Sequence, residues 1–568
     1  MIRASGWRSR VSVAGLIWCA ATAQAQPVEP NSAPTSTPTA PATEAANTEE
    51  APFDVWEFQV EGSALLSPAQ VERVVMPHLG ANKKLADVEQ AREALEAAYR
   101  NAGYPTVFVD IPEQDVSEGV VRLHVTEGRV RQLNVTGARY FSPFAVSADV
   151  GALAEGQVPY LPAVQQQIAA VNARTPDRMI TPVLRPGRTP GTLDVELKVQ
   201  DELPLHGAVE VNNRYTEGTS RSRINASLRY DNLFQRQHSL SVQYQNSPEK
   251  SEEVRVLAGT YLARFEDSNN LGVVYAVHSE SDTATVGSLA VIGNGDILGL
   301  RGIVPLPATA SVYHSLSAGV DFKDFAESVE LQGADATNTP IDYIPWTLQY
   351  SATRQTAPST LRFEAGVVFG LRGVGDDMRD CEMPVDRDGD GTPTIEITSV
   401  NEFECKRSGA KPNYMKWLGT VGASGNVVAG AQWSALLNAQ LADSPLISNE
   451  QFAAGGASSV RGYYESQVLG DQGWSAQLEL RSASFAPRLG EWAQDMRGLV
   501  FVDGAKVVLR QPLEGQMDRF EIYSTGVGVR ATAWKRWNAT VDWAYPLHAQ
   551  GTVERGEQRW HASVEYRF

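Results

Sequence analysis

Two short motifs hold the residues best suited to a charge-based contact. The first contains Val460, Arg461, Gly462 and Tyr463, and the second contains Phe501 and Asp503. Arginine carries a permanent charge and a planar fork of N–H donors, and a glycine beside it allows a tight turn at a loop tip. Asp503 is the natural carboxylate to receive that fork. The pattern predicts a charge-assisted contact between a loop and a strand.

A second candidate for chemistry lies between two cysteines. We expect Cys381 and Cys405 to form a disulfide if the chain is exported to an oxidising compartment. Between them, a D-x-D-x-D-G pattern resembles the start of a calcium loop; the candidate ligands are Asp386, Asp388, Asp390 and Glu396. The acid expected at the twelfth position is replaced by Ile397, so a solvated acidic loop is the alternative. Apart from this calcium, we expect no cofactor. The sequence has no G-x-S-x-G nucleophile motif, and no catalytic residue is predicted.

The first 25 residues predict an export signal. Arg3, Arg8 and Arg10 precede a mostly apolar run, and Ala23-Gln-Ala25 has the small-x-small form of a cleavage site. The apolar run is too short for a membrane anchor, and bulky Trp18 before Cys19 disfavours lipid attachment. Without this segment the net charge falls from −18 to −21, which argues against a nucleic-acid partner.

An internal repeat follows a Pro- and Thr-rich stretch, residues 26–52, that we expect to be a disordered linker without a helix. Phe58-Gln-Val-Glu-Gly62 is echoed by Leu133-Asn-Val-Thr-Gly137, and each echo is followed by Ser-Pro at the same spacing. Serine before proline is a helix start. The repeat predicts two β-α-α-β-β modules, residues 53–128 and 129–203.

From residue 204 onward the sequence reads as alternating strands separated by turns. In the last segment Trp560, Ala562, Val564, Tyr566 and Phe568 share one face, while polar residues share the other. A soluble sandwich also alternates. However, the 363 residues from His206 to Phe568 have no helical interruption, and together with the strand-end aromatics and a polar second face this favours a transmembrane antiparallel β-barrel. The length predicts about 16 strands across residues 204–568, and 14 or 18 strands are the alternatives.

Together these features resemble the polypeptide-transport-associated (POTRA) modules and barrel of the transporter component of two-partner secretion, the haemolysin secretion/activation family. The resemblance covers residues 53–568 and rests on the two modules, the Val-Arg-Gly-Tyr loop and the Phe-x-Asp strand. Ala505 departs from the family's usual glycine, and adjacent Gly504 is expected to supply the missing clearance. The resemblance implies an outer-membrane exporter of one large exoprotein of the adhesin or haemolysin type. The alternative, an outer-membrane insertase of the same superfamily, usually has three or more modules.

The resemblance also implies specific roles for individual residues and partners. The Arg461 loop is expected to fold back into the lumen as a latch. An unfolded exoprotein is expected to dock in the periplasm on the first module, in a groove between residues 88–102 and 106–111, beside Val107, Phe108 and Val109. Ordinary core packing is the alternative for these three residues, and alternation requires it for at least one of them. Trp560, Tyr566 and Phe568 are expected to form the assembly signal read by the barrel assembly machinery. The other expected partner is outer-membrane lipid, and neither a nucleotide nor a nucleic acid is expected to bind.

Overall fold

This computed structural model describes residues 52–568 except 266–267, 282, 287–288, 327, 330–336, 339, 375–376, 386–393 and 514. The predicted export signal, nearly all of the predicted linker and three candidate calcium ligands, Asp386, Asp388 and Asp390, lie outside the described residues. The described chain divides into two compact units, residues 52–204 and 205–568. No helix within the described part of the chain has the length and apolar character needed to cross a membrane.

The first module has the predicted order with one added strand pair. Its strands are Phe53–Val55, Glu57–Glu61, Gly80–Lys83, Val107–Asp110 and Val120–Glu127, and its helices are Pro68–Val75 and Leu85–Asn101, with a 3-10 turn at Met76–His78. The core forms because helical spacing places Val88, Ala91, Leu95 and Tyr99 on one buried face of the longer helix. That face packs against the alternating buried valines of the last two strands.

The second module also consists of a three-stranded sheet and two helices, as the first module does. Its strands are Arg129–Thr136, Arg178–Pro186 and Thr192–Asp201, and its helices are Pro143–Ala148 and Leu161–Ala173, with a 3-10 turn at Gly151–Leu153. One physical reason explains why glycine occurs at the same place in both modules. Gly62 and Gly137 have φ of 82° and 84°, and a Cβ on either would lie 2.3 Å from a carbonyl oxygen, that of Val125 or Val199.

Residues 205–568 form a closed antiparallel barrel, and the described residues provide sixteen strands, as predicted. They are Leu205–Asn212, Arg223–Leu233, His238–Asn246, Arg255–Arg264, Leu271–Glu280, Gly295–Pro305, Val312–Phe325, the interrupted strand Ile341–Tyr343 with Trp346–Gln355, Ser359–Phe369, Met415–Asn426, Gln432–Ala442, Gln472–Arg481, Ala493–Val508, Arg519–Ala533, Trp537–Pro546 and Arg559–Arg567. A closed sheet satisfies its own backbone hydrogen bonds, which lipid requires. The sandwich alternative is therefore excluded.

The alternation of side chains separates the outer face from the lumen. In the strand Ala493–Val508, Val500 and Val502 are more than half exposed, while Phe501 and Asp503 are buried. The last strand closes onto the first through the pair Arg567–Ala208 and through two backbone hydrogen bonds between Phe568 and Gly207, of 3.0 and 3.1 Å. The outward-facing side chains of this strand are therefore apolar, as a membrane barrel requires, while its inner face carries both polar and apolar residues.

Several connections between barrel strands have structure of their own. Two-stranded hairpins are formed by Thr283–Val286 with Leu289–Ile292, Ser328–Val329 with Thr337–Asn338, Met378–Val385 with Thr394–Asn401, and Phe452–Ala454 with Val468–Gly470. The short helices are Glu402–Lys406 and the 3-10 turns Val428–Gly430, Ser448–Glu450 and Ala486–Arg488. The connection 443–471, which contains Arg461, is the one that reaches the candidate site, and it is called the latch loop below.

Candidate functional site in the barrel lumen

The latch loop carries Arg461 at its tip, between the two strands of the hairpin Phe452–Ala454 and Val468–Gly470. The Ser459 hydroxyl tightens the tip by accepting from the Gly455 N–H at 2.7 Å and donating to the Gly455 carbonyl at 2.8 Å. Gly455, Gly456 and Gly462 have φ of 124°, 87° and 94°, a region that favours glycine. The glycine-rich sequence thus builds a compact tip that presents one arginine.

Arg461 is 1% exposed and uses its whole guanidinium fork. Nε and Nη2 donate to the two oxygens of Asp503 at 2.7 and 2.8 Å, and Nη1 donates to Glu479 at 2.6 Å. The backbone N–H of Arg461 adds a bond to Asp503 at 3.1 Å. The guanidinium carbon lies 3.5 Å from the centroid of the Phe501 ring, a cation–π contact. The structure thus brings together Arg461, Phe501 and Asp503, as the two motifs predicted.

Further charged residues surround this pair. Asp542 lies 3.6 Å from Arg461 Nη1, and Arg530 donates to Asp542 at 2.6 and 2.9 Å and to Glu479 at 3.3 Å. Arg481 donates to the other oxygen of Glu479 at 2.6 Å. Three arginines therefore face three acids, and the cluster is neutral when all six are ionised. Neutrality offsets much of the cost of burying charge.

The residues on either side of Arg461 are also bound to the wall. The Gly462 N–H donates to His561 Nε2 at 2.8 Å, so this ring nitrogen is an acceptor and carries no proton. The Tyr463 hydroxyl lies 3.0 and 2.7 Å from the carbonyl oxygens of Tyr523 and His548. Val460 is fully buried in an apolar cluster with Tyr463. The whole motif is therefore seated on inward-facing groups of the barrel.

The expectation for Gly504 is wrong. Strand alternation places Gly504 on the face opposite Asp503, where a Cβ would lie 2.7 Å from the ring of Tyr523. Gly504 therefore gives no clearance to the latch loop. Ala505 is the inward-facing residue, and its methyl group is buried in the cluster that also contains Val460. The loop accommodates this methyl group by apolar packing.

The arrangement is suited to holding a loop and releasing it. Every contact of Arg461 is noncovalent, and the bound acids lie on three separate strands, Gln472–Arg481, Ala493–Val508 and Trp537–Pro546. A permanent cation surrounded by fixed carboxylates forms a specific contact, but that contact can exchange for water or for other charges. The structure shows the bound position of the loop, held by contacts of an exchangeable kind.

Five residues that surround Arg461 and Gly462 were not predicted as site residues: Glu479, Arg481, Arg530, Asp542 and His561. Each lies on an inward-facing position of a strand whose alternate residues are apolar, such as Val541 and Trp543 beside Asp542. A charged residue at such a position is the sequence signal that could have found them. Glu479 gave a weak signal, since Glu479-Leu-Arg resembles a family pattern.

The predicted client-binding residues of the first module separate into two classes. Val107 and Val109 are each 2% exposed and pack in the core, so the core alternative applies to both of them in this structure. Alternation in a strand points every second residue inward. Phe108 points the other way and is 51% exposed. Among the described residues its strand, Val107–Asp110, pairs on one side only, with Val120–Glu127.

The terminal strand has the predicted faces. Trp560 and Phe568 are 59% and 47% exposed on the outer face, and the Tyr566 ring lies between Trp537 and Phe568, at centroid distances of 6.1 and 5.9 Å. The rings of Trp537, Tyr566 and Phe568 form a continuous row toward the seam where the barrel closes. Such rows mark the interface between lipid and water.

The disulfide partners are joined, with their Cα atoms 5.8 Å apart. The bond connects the hairpin strand Met378–Val385 to the helix Glu402–Lys406. Glu396, the described member of the candidate calcium set, lies opposite Met383 in the same hairpin.

The helix beside the disulfide contains a carboxyl group with an unusual environment. Glu402 is 2% exposed and lies outside the membrane-spanning strands. Burial raises its pKa to about 7, and the negative charge of Asp342 adds to the increase. Arg379 opposes the increase only weakly, since its Nη2 is 3.8 Å from the carboxylate.

Comparison with known proteins agrees with this geometry. The family model for the haemolysin secretion/activation proteins ShlB/FhaC/HecB matches residues 191–531, and a ShlB-type POTRA domain matches residues 53–128. The outer membrane transporter CdiB of Dickeya dadantii is 23% identical over 88% of this chain and 84% of its own length. CdiB of Escherichia coli O6:K15:H31 is 24% identical over 87% of this chain and 78% of its own.

Solved structures share the fold. CdiB from Escherichia coli superposes with a TM-score of 0.56 at 20% identity, covering 93% of each chain. BamA from Haemophilus ducreyi lacking POTRA domains 1–3 superposes with a TM-score of 0.51 at 13% identity, covering 91% of this chain and all of the other. The modules, the sixteen-stranded barrel and the family match over most of the chain lead to one conclusion. The chain belongs to the haemolysin secretion/activation family ShlB/FhaC/HecB, the outer-membrane transporters of two-partner secretion, whose POTRA modules lie in the periplasm.

Proposed function

We propose that this transporter exports one large exoprotein by moving the tip of its latch loop out of the lumen. The observation that carries the proposal is the burial of Arg461 among inward-facing acids of three strands. A path through the barrel can therefore open by exchange of side-chain contacts, with every strand-to-strand hydrogen bond intact. The unfolded client passes through the barrel and folds on the outside.

The first module provides a place for the client to dock before passage. The strand Val107–Asp110 has one paired edge among the described residues, and an extended client can add to the other edge by backbone hydrogen bonds. Phe108 offers an exposed aromatic ring beside that edge. Backbone pairing accepts many sequences, and the ring adds apolar contact area.

The energy for export is proposed to come from the client. The sequence has no nucleotide-binding motif, and we propose that neither catalysis nor a bound cofactor takes part. A chain that folds after it emerges can no longer return through the barrel, and its folding free energy favours outward movement. A calcium ion in the loop near the disulfide stays a separate prediction for residues 386–396.

The test first searches the neighbouring genes for a large secreted protein, and then measures export of that exoprotein in cells that lack other copies of both. Wild-type transporter is expected to deliver the exoprotein to the medium. A variant with the first module deleted is expected to retain a folded barrel, with the exoprotein left in the periplasm. Equal export with and without the module would contradict the docking step.

An insertase role is the second candidate, because the barrel also superposes on BamA. That likeness is at 13% identity and shows the fold alone. Depletion of this protein separates the two functions. Loss of one secreted protein from the medium supports export, whereas loss of many barrels from the outer membrane supports insertion.

A further inference from the structure

A second buried ion cluster holds the latch loop at a different part of the wall. Glu450 lies at the end of the 3-10 turn Ser448–Glu450, eleven residues before Arg461, and is 2% exposed. Its carboxylate accepts from Lys323 at 2.5 Å and from the Tyr343 hydroxyl at 2.7 Å, and it lies 2.8 Å from Lys416 Nζ. These partners belong to three strands that do not contact Arg461. The charge order is reversed here, since the loop supplies the acid and the wall supplies the cations.

The same segment is held by its backbone. The carbonyl oxygen of Glu450 accepts from Lys416 Nζ at 2.8 Å and from Gln440 Nε2 at 3.1 Å. Leu446 and Ile447, each 1% exposed, pack in the apolar cluster beside it. The beginning of the latch loop is therefore fixed by charge, hydrogen bonds and apolar contact together.

The end of the latch loop is fixed by another fully buried acid. Asp471 receives a bidentate contact from Arg407, and it accepts from the backbone N–H groups of Leu446 and Arg510 at 2.8 and 2.6 Å. This acid ties the two ends of the loop to each other and to the neighbouring connection that contains Arg407. We call residues 446–450 and Asp471 the root of the latch loop, and residues 455–468 its tip.

Release of the tip and release of the root leave different charges behind. When Arg461 leaves, Glu479 and Asp542 keep Arg530 and Arg481, and Asp503 is the acid left without a cation. When Glu450 leaves, two lysines lose their partner, and within the described residues Glu450 is the one acid in salt-bridge contact with either of them. An unpaired buried charge is costly, so the root is the more expensive part to detach.

We propose that Glu450 is a positioning residue that keeps the root on the wall, so that the latch loop opens by movement of its tip alone. Glu450 thereby sets the position from which Arg461 reaches Asp503. The movement itself rests on the proposed export function, whereas the anchoring of the root does not. Opening is a swing of the tip about a fixed root.

The test uses two single-cysteine reporters, Val460→Cys at the tip and Ile447→Cys at the root, with Leu446→Cys in reserve if the latter fails to fold. Both native positions are at most 1% exposed, and a disulfide occupies Cys381 and Cys405. In purified transporter, Glu450→Gln is expected to raise labelling of both reporters by a water-soluble maleimide about tenfold or more. Asp443→Asn, the same change at an exposed acid of this loop, is expected to leave both rates unchanged.

Exchanging the charges of Glu450 and Lys416 distinguishes a positioning role of Glu450 from a general effect on the stability of the protein. Glu450→Lys alone places three cations together and is expected to expose both reporters. Adding Lys416→Glu restores one loop-to-wall ion pair and the original total charge, and is expected to return labelling most of the way to the wild-type rate. Unchanged labelling in Glu450→Gln, or no recovery in the exchange variant, would overturn the anchor.

Labelling of the two reporters during export tests whether only the tip moves. In cells exporting the exoprotein, Val460→Cys is expected to be labelled faster than in cells without it, while Ile447→Cys stays protected. Equal acceleration of both reporters would show that the whole loop leaves, which refutes a fixed root. If no exoprotein is exported, the proposed function fails, while the purified-protein measurements still decide the role of Glu450.

Discussion

Replacing Arg461 by alanine is expected to abolish most export while the barrel still assembles, because we propose that export needs a tip that is held in place and then released, and this variant does not hold it. The substitution removes two side-chain bonds to Asp503, one to Glu479 and the cation–π contact with Phe501. It leaves Asp503, 1% exposed, without a cation. Neither the strand pairing nor the outer face changes, so assembly in the membrane is expected to be retained.

The size of the effect follows from the burial of this pair. Removing one partner of a buried ion pair costs about 3–5 kcal/mol, because the other charge stays buried without compensation. At about 1.4 kcal/mol per tenfold change, the closed position of the tip loses a factor of roughly 100 to 1,000 or more. Arg461→Lys keeps the charge but not the planar fork. It is expected to weaken the closed position by about 1.5–3 kcal/mol, the contribution of one hydrogen bond to a charged group, because a point charge makes fewer directed bonds.

Two measurements check this prediction. Conductance of purified transporter in planar bilayers is expected to show long-lived large openings in Arg461→Ala, and secretion assays are expected to show loss of the exoprotein. Arg481→Ala is the matched control, since it removes an arginine that binds the same Glu479 but is 34% exposed and does not touch Asp503. Normal export together with wild-type conductance in Arg461→Ala would refute the latch.

Three further outcomes are expected. Phe568→Ala is expected to reduce the folded, heat-modifiable barrel several-fold, because the ring covers Gly207 at the seam, where a Cβ would lie 2.1 Å from it; wild-type levels would contradict a role in closure. For Glu402, whose pKa is raised to about 7 from 4.5, the folded loop binds the proton more tightly than the unfolded loop. Stability therefore falls as pH rises from 4.5 to 7, by about 3 kcal/mol in total. Protection factors of helix 402–406, in which the exchange rate is corrected for the intrinsic pH dependence of amide exchange, are expected to be lower at pH 8 than at pH 5, and Glu402→Gln is expected to remove this difference. Finally, Phe108→Ser is expected to weaken binding of the unfolded exoprotein to the purified modules several-fold, measured by calorimetry, with Met76→Ser, another exposed apolar residue of this module, as the control.

Local sequence patterns determined much of this architecture. The repeat around Gly62 and Gly137 predicted two modules, because a residue with positive φ and no room for a Cβ must be glycine. Alternation of apolar and polar residues predicted the barrel and the faces of its last strand, because the strand period is two. The charge and geometry of Arg461 and Asp503 predicted their contact. Each of these follows from residue type and short spacing.

Tertiary structure alone decided which other residues complete the site. Barrel closure brings His561 to Gly462 across 99 residues, and it places Lys323 against Glu450 across 127. No local pattern encodes such pairs, because a loop that enters a lumen can reach inward-facing residues of any strand. The distinction between Phe108 and its buried neighbours Val107 and Val109 depended in the same way on which face of one short strand the helix covers. The sequence therefore determined the Arg461 motif and its contact with Asp503. The closed barrel determined which other residues the loop binds.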